Sequence, residues 1–257
     1  MIRGAIGNLD VAQIVLYAFF VFFAGLVYYL RREDRREGYP LESEAFERQK
    51  PRGFLLIPRP KVFRMAHDLA VLAPRFDVDP RALNATKVEP WPGSPLQPAG
   101  DPMRAEIGPG AYALRANVSE KTHDGRDLIV PLRIATNFAV ASEDGNPVGM
   151  AVIGADGRIA GSVRDVWVDR AESIIRYYEV EVGAAAAAKT VLLPVTFSSV
   201  DAGRRRIRVE AILGHQFADV PVTHGRHSVT SLEEEKITVY YGAGTLYATA
   251  DRAEPFL

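Results

Sequence analysis

The 257 residues contain no cysteine. Disulfide scaffolds, Cys-ligated zinc, iron–sulfur clusters, thioether-attached haem and thiol nucleophiles are therefore excluded together. Excess charge of either sign is also missing, since 31 Lys and Arg face 32 Asp and Glu for a net −1. That balance lacks the basic footprint of a nucleic-acid binder. No glycine loop carries the following Lys of a phosphate cradle, and no serine sits in a nucleophile elbow. Charged residues at 25% and apolar ones at 47% exclude wholesale disorder. The mean hydropathy of −0.04 suggests a soluble protein, but the apolar residues are unevenly distributed.

Val11 to Leu30 is uncharged throughout, with Gln13 and Gly25 as its two departures from the apolar set. Twenty helical residues reach about 30 Å, the thickness of a bilayer's hydrocarbon core. Tyr17 near one end and Tyr28 and Tyr29 at the other suit the headgroup boundary. A signal peptide would have a shorter apolar region and a small-residue cleavage site. Here Arg31, Arg32, Arg35 and Arg36 follow at once, which is a stop-transfer flank. Arg3 alone precedes the span, so the basic-residue count predicts residues 1–10 outside and everything after residue 31 in the cytoplasm.

Twelve of the 17 prolines fall in residues 37–110. Proline fixes φ and removes a donor, so the 31–110 segment is expected to be extended and irregular, with short strand pieces such as Phe54–Ile57. Its apolar side chains, among them Phe63 and Trp91, with Tyr112 just beyond it, point to a partner laid against it. From about residue 128 the pattern turns to short alternating runs: Val148–Ile153, Arg158–Asp169, Ile174–Val182, Thr190–Pro194 and Arg206–Leu213. Period-two alternation predicts a small antiparallel barrel or sandwich with one buried face. The run Ala184–Ala188 reads as a loop. Ser231 followed by Glu234 has capping-box form and predicts a short helix ending near Gly242.

Two groupings bear on chemistry. The histidines include one i, i+3 pair, His224 and His227, in a glycine-containing segment poorly suited to a metal, and His215 reads as a structural residue at a strand end. Asp165, Asp169, Glu172, Glu179 and Glu181 lie within seventeen residues. Clustered carboxylates raise one another's pKa toward working pH, as a proton path requires. The alternative is a solvated acidic face neutralised by Arg164, Arg170 and Arg176.

The stretch Tyr29-Leu30-Arg31-Arg32-Glu33-Asp34-Arg35-Arg36-Glu37-Gly38-Tyr39-Pro40-Leu41-Glu42, after one N-terminal span, resembles the H subunit of the purple-bacterial photosynthetic reaction centre. Further similar signatures follow in family order: Gly100–Met103, Gly108–Tyr112, Val130–Arg133, Val166–Arg170, Arg176–Glu181, Phe217–Pro221, Glu233–Lys236 and Tyr240–Ala248. The resemblance implies one transmembrane helix followed by a mainly β cytoplasmic domain over 111–257, PRC-barrel-like, with a C-terminal helix. It implies a non-enzymatic subunit that holds no cofactor itself. Such a subunit caps the cytoplasmic face of two pigment-binding subunits in the intracytoplasmic photosynthetic membrane. Bacteriochlorophyll, bacteriopheophytin, quinone and non-haem iron would sit in those partners. Membrane lipid, light-harvesting antenna and a cytochrome subunit are further partners it admits, and nucleic acid is not one.

The same resemblance implies proton delivery to the secondary quinone. Glu172 matches the family's interior relay carboxylate, and Asp169 an acidic residue beside it. The proton-uptake loop of the family has two histidines and an aspartate. Here it reads Thr122-His123-Asp124-Gly125-Arg126, so His123 and Asp124 stand in for it without position-by-position alignment. Tyr29, Arg31, Arg32, Arg35, Arg36 and Tyr39 are the expected partner and membrane contacts. The competing reading is a membrane-anchored barrel-domain adaptor or assembly factor without a photochemical role. An anchored hydrolase is disfavoured, because no nucleophile, base and orienting group can be named.

Overall fold

A computed structural model describes residues 11–39, 57–75, 79–183 and 188–253. The described chain divides into two units, residues 1–81 with 91–93, and residues 82–90 with 94–257. The expected strand at Phe54–Ile57 and the loop at Ala184–Ala188 lie outside the described residues except at Ile57 and Ala188. Residues 1–10 lie outside them entirely.

In the first unit, helix α1 spans Val11–Glu33, continued by a 3-10 turn at Asp34–Arg36. No α1 residue is buried against protein, although its side chains are almost all apolar. A helix apolar all round needs a nonaqueous environment or neighbouring helices. Strands β1 (Lys61–Arg64) and β2 (Ala70–Ala73) form an antiparallel hairpin with Lys61 opposite Ala73. The hairpin is tied to the helix end by charge. Glu33 accepts from Arg36 at 2.8 and 3.0 Å and from Lys61 at 2.8 Å. The Arg36 guanidinium also donates to the carbonyls of Arg59 and Ala73, each at 2.9 Å.

The second unit begins with a small ribbon of β3 (Ala85–Lys87) and β4 (Leu96–Pro98). Two 3-10 turns, Pro102–Arg104 and Gly108–Gly110, then pack on the C-terminal helix and bury Met103, Ala105 and Ile107. This end of the proline-rich segment is covered by its own chain, because short 3-10 turns tolerate proline at their first positions and still bring apolar side chains to one side.

The main sheet has seven strands: β5 (Ile129–Pro131), β6 (Ala151–Ile153), β7 (Ile159–Asp169), β8 (Ile174–Val182), β9 (Lys189–Pro194), β10 (Ser198–Asp201) and β11 (Arg206–Val209). They run in the order β10-β11-β6-β7-β8-β9, with β5 also on β7. All pairs are antiparallel except β11 with β6, and the sheet curls as a half-barrel around Val152, Val166, Val180, Leu193 and Ile207. Strand β8 matches its sequence reading. The strands at Val148 and Arg206 are shorter than their alternation predicts, and β5 and β10, only three and four residues long, are too short to show an alternation in the sequence.

The single buried face predicted from alternation is also revised. Val166–Asp169 and Tyr177–Val180 are buried on both faces. Helix α2, Ser231–Tyr247, reaches the Tyr177 end of that second face, where Tyr177 donates to Glu234, and Arg133 covers the Glu179 end. The helix begins one residue earlier than read: Thr230 is the N-cap, taking the Glu233 N–H at 3.2 Å, while Glu233 accepts the Thr230 N–H at 2.9 Å. It also continues past Gly242. The glycines here serve contact, not termination: a Cβ on Gly244 would lie 2.4 Å from the Ala211 carbonyl, and one on Gly242 3.1 Å from the Pro109 carbonyl. Alanine normally favours a helix by up to about 1 kcal/mol over glycine. Gly244→Ala is nevertheless expected to destabilise the full chain by about 1–3 kcal/mol through overpacking. A denaturant titration showing a gain in stability would reject this role for Gly244.

Candidate functional site

The covered face of β7 and β8 carries a seam of polar groups. Two bulges shape it. Opposite Val180 and Glu179, strand β7 has Val163 and Asp165, which leaves Arg164 as the extra residue. Opposite Trp167 and Val168, strand β8 has Tyr177 and Ile175, which leaves Arg176 as the extra one. Bulges re-aim side chains and increase local twist. Each bulge here supplies an arginine.

At one end of the seam Glu179, 4% exposed, accepts from Trp167 Nε1 and from Arg133, both at 2.7 Å. Arg133 also donates to Asp165 at 2.8 Å and to the Arg226 carbonyl at 2.6 Å. A buried carboxylate is tolerated only when such donors replace its water. Trp167 stands directly across from Tyr177, where the other end begins. The Tyr177 hydroxyl donates to Glu234 at 2.7 Å, and Arg176 lies 3.8 Å from Glu234 and 3.9 Å from Asp169. Burial pushes the Glu234 carboxyl above the ordinary Glu range, and the nearby Glu120 charge acts in the same direction. Tyr177 and Arg176 oppose that rise without cancelling it. The adjacent Glu233 is held below the ordinary range despite its burial, because the His224 and Thr230 N–H groups donate to it.

Asp169, 4% exposed, closes the C-terminal end of β7, and one of its oxygens accepts the N–H groups of Ala171 and Glu172 at 2.9 and 3.1 Å. Glu172 lies on that exposed turn. The two residues are therefore together, with Glu172 presented outward. His123 and Asp124 are exposed at the tip of the Thr122–Arg126 turn. Hydrogen bonding from Thr122, then from Arg126, holds the Asp124 carboxyl below its usual range. The base of that loop joins the Asp169 turn through the Arg170 N–H on the Leu128 carbonyl, 3.0 Å, and the Arg170 guanidinium on the Asp127 carbonyl, 3.2 Å. No direct bond links the tip to Asp169 among the described residues. His224 turns to Glu233 at 2.8 Å, and no three His, Asp or Glu side chains among the described residues are grouped to hold a metal.

In the first unit Arg36 is spent on the hairpin, Lys61 lies 6.0 Å from the Tyr29 ring, and Arg35 stacks over Tyr39 at 5.3 Å. Arg31 is exposed beside Asp34, and Arg32 is half-buried.

Sequence reading missed Arg133, Tyr177 and Glu234. Arg133 meets its partners from 32 and 46 residues away, a separation no local pattern reports. Ser231–Glu234 and Thr230–Glu233 both fit the capping spacing, which hides in the sequence that Glu234 turns to the sheet.

A carboxyl with a raised native pKa contributes stability fully below its unfolded pKa, about 4.3 for Glu, and that contribution is lost as pH rises through the native value. Glu234→Gln keeps an acceptor for Tyr177 and removes the titration. The difference between wild-type and variant stability is therefore expected to decline with pH across that window in denaturant titrations. A difference independent of pH would show that Glu234 does not titrate in the fold.

Comparison with known proteins bears on both units. Residues 4–134, just over half of the chain, match the N-terminal region of the photosynthetic reaction centre H-chain. Residues 140–216 match the PRC-barrel domain, in agreement with the half-barrel. Over 56 residues the chain is 45% identical to an uncharacterized protein of Deinococcus radiodurans, a stretch covering 22% of this chain and 20% of that relative. The chain thus spans about a fifth of the length of that curated relative. A match across the apolar helix, its basic flank and the hairpin, followed by a half-barrel of the matching class, places the chain in the photosynthetic reaction centre H-chain family.

Proposed function

We propose that this chain is a membrane-anchored, non-pigment subunit that caps the cytoplasmic face of two pigment-binding subunits and delivers protons to a secondary quinone held by them. The observation that carries the reading is the H-chain match over residues 4–134, which includes the single candidate span found among the described residues. Four arginines after the span against one before it favour a cytoplasmic location for the chain beyond residue 31. The exposed apolar residues of the hairpin, including Phe63, Met65 and Leu72, suit a surface that meets other subunits.

In this reading protons are collected at the exposed His123 and Asp124 and passed inward through Asp169 and Glu172, with Glu172 facing the quinone-bearing partner. Glu234 adds a carboxyl that holds its proton more firmly than an ordinary Glu, one arginine away from Asp169. Relay groups work best with pKa values near ambient pH, and Glu234 is shifted in that direction. The link between the loop tip and Asp169 runs through backbone hydrogen bonds, which do not conduct protons, so waters or partner groups complete the route. Electron transfer itself belongs to pigments and quinones held elsewhere.

The chain isolated from photosynthetic membranes is expected to co-purify with bacteriochlorophyll absorbance, and a pigment-free preparation would favour the adaptor reading. Glu172→Gln is expected to slow the proton-coupled second reduction of the quinone by about tenfold or more with pigment content unchanged, within the range for a lost proton-transfer group. Unaltered flash-induced proton uptake would remove Glu172 from the path.

A further inference from the structure

The Arg133 end of the seam opens on a cavity of about 510 Å³. Arg133, Arg164, Trp167 and Glu179 line it from the sheet side, and Arg226 and His227 from the loop before α2. The charges around it do not balance. Arg133 is matched by Glu179 and Asp165. Arg164 and Arg226 have no side-chain ion pair among the described residues. Three guanidiniums against two carboxylates leave an excess of positive charge.

The two spare arginines are held by fixed backbone. Arg164 is the extra residue of the β7 bulge. Arg226 sits in a loop whose carbonyl at that residue is held by Arg133 at 2.6 Å. Two residues earlier, the His224 N–H and imidazole are bound to Glu233 at 2.7 and 2.8 Å. Little backbone ordering therefore remains to be done when a ligand binds between them. Guanidinium forks match the oxygens of a phosphate bidentately, and arginines that line one cavity repel each other less once an anion binds between them. A cavity of this size falls within the usual range for small-molecule sites and exceeds what a bare phosphate fills.

We propose that this cavity binds the phosphate group of a larger molecule between Arg164 and Arg226, with His227 as a third donor. The phosphate can come from a soluble ester or from a lipid headgroup. The test uses the full chain in phosphatidylcholine nanodiscs, titrated calorimetrically with inorganic pyrophosphate. Saturable binding is expected, weakened about tenfold by Arg164→Gln or by Arg226→Gln, each removing one charge-assisted contact. Both side chains are exposed, so these variants keep the fold. Arg158→Gln, at an exposed arginine outside the cavity, is expected to leave binding unchanged. Repeating the titration in nanodiscs containing phosphatidylglycerol separates the sources: competition by the lipid indicates a headgroup, and unaltered affinity a soluble ester. Absence of saturable pyrophosphate binding in phosphatidylcholine, affinity unchanged in the Arg164→Gln/Arg226→Gln double variant, or equal loss in Arg158→Gln would overturn the proposal.

Discussion

The close approach of α2 to the sheet governs the second unit. Tyr241 is wholly buried and donates to the Leu192 carbonyl at 3.3 Å, while Tyr240 reaches the Gln216 carbonyl at 2.9 Å. Those contacts, and the one between Tyr177 and Glu234, go with a helix backbone lying close to Pro109 and almost on Ala211, where at Gly244 only glycine fits. A sheet face that would otherwise meet water becomes an interior. Every polar group on it must then find a protein partner. The seam follows from that requirement, and no buried side-chain nitrogen or oxygen among the described residues is left without one.

The parts of this fold visible in the sequence are those set by local regularity. An uncharged run of twenty residues with an arginine flank announced α1, and unbroken alternation from Ile174 to Val182 announced β8 with its boundaries intact. What was hidden depends on separations or ambiguities that local patterns do not resolve. The bulges at Arg164 and Arg176 shift register within strands whose letters still alternate. Gly242 and Gly244 carry the same letter whether they end a helix or allow it to touch a neighbour. The carboxylate grouping was legible as composition, but its division was not: Glu179 and Asp165 pair with Arg133, Asp169 caps a turn, and Glu172 faces outward. The family signatures covered these positions without indicating which partner each carboxylate takes.

Near-neutral total charge proves uninformative at this scale. Adjacent residues of one helical turn, Glu233 and Glu234, are driven in opposite directions, one by backbone donors and the other by burial. Identical side chains thus acquire different chemistry from their immediate contacts. Position on the helix, decided by which hydroxyl caps it, determines which glutamate is available to the sheet.

The clamp of Glu33, Arg36 and Lys61 has a mechanical corollary. The guanidinium that ends the helix holds one carbonyl just before β1 and one at the end of β2, so it grips the base of the hairpin at both strands. Rolling of α1 about its axis, or a piston-like shift along it, must either carry the hairpin or break a carboxylate contact and two carbonyl contacts at once. Lys61, the first residue of the hairpin, also lies 6.0 Å from the ring of Tyr29, so the hairpin meets the helix at the boundary of the apolar span as well as at its charged end.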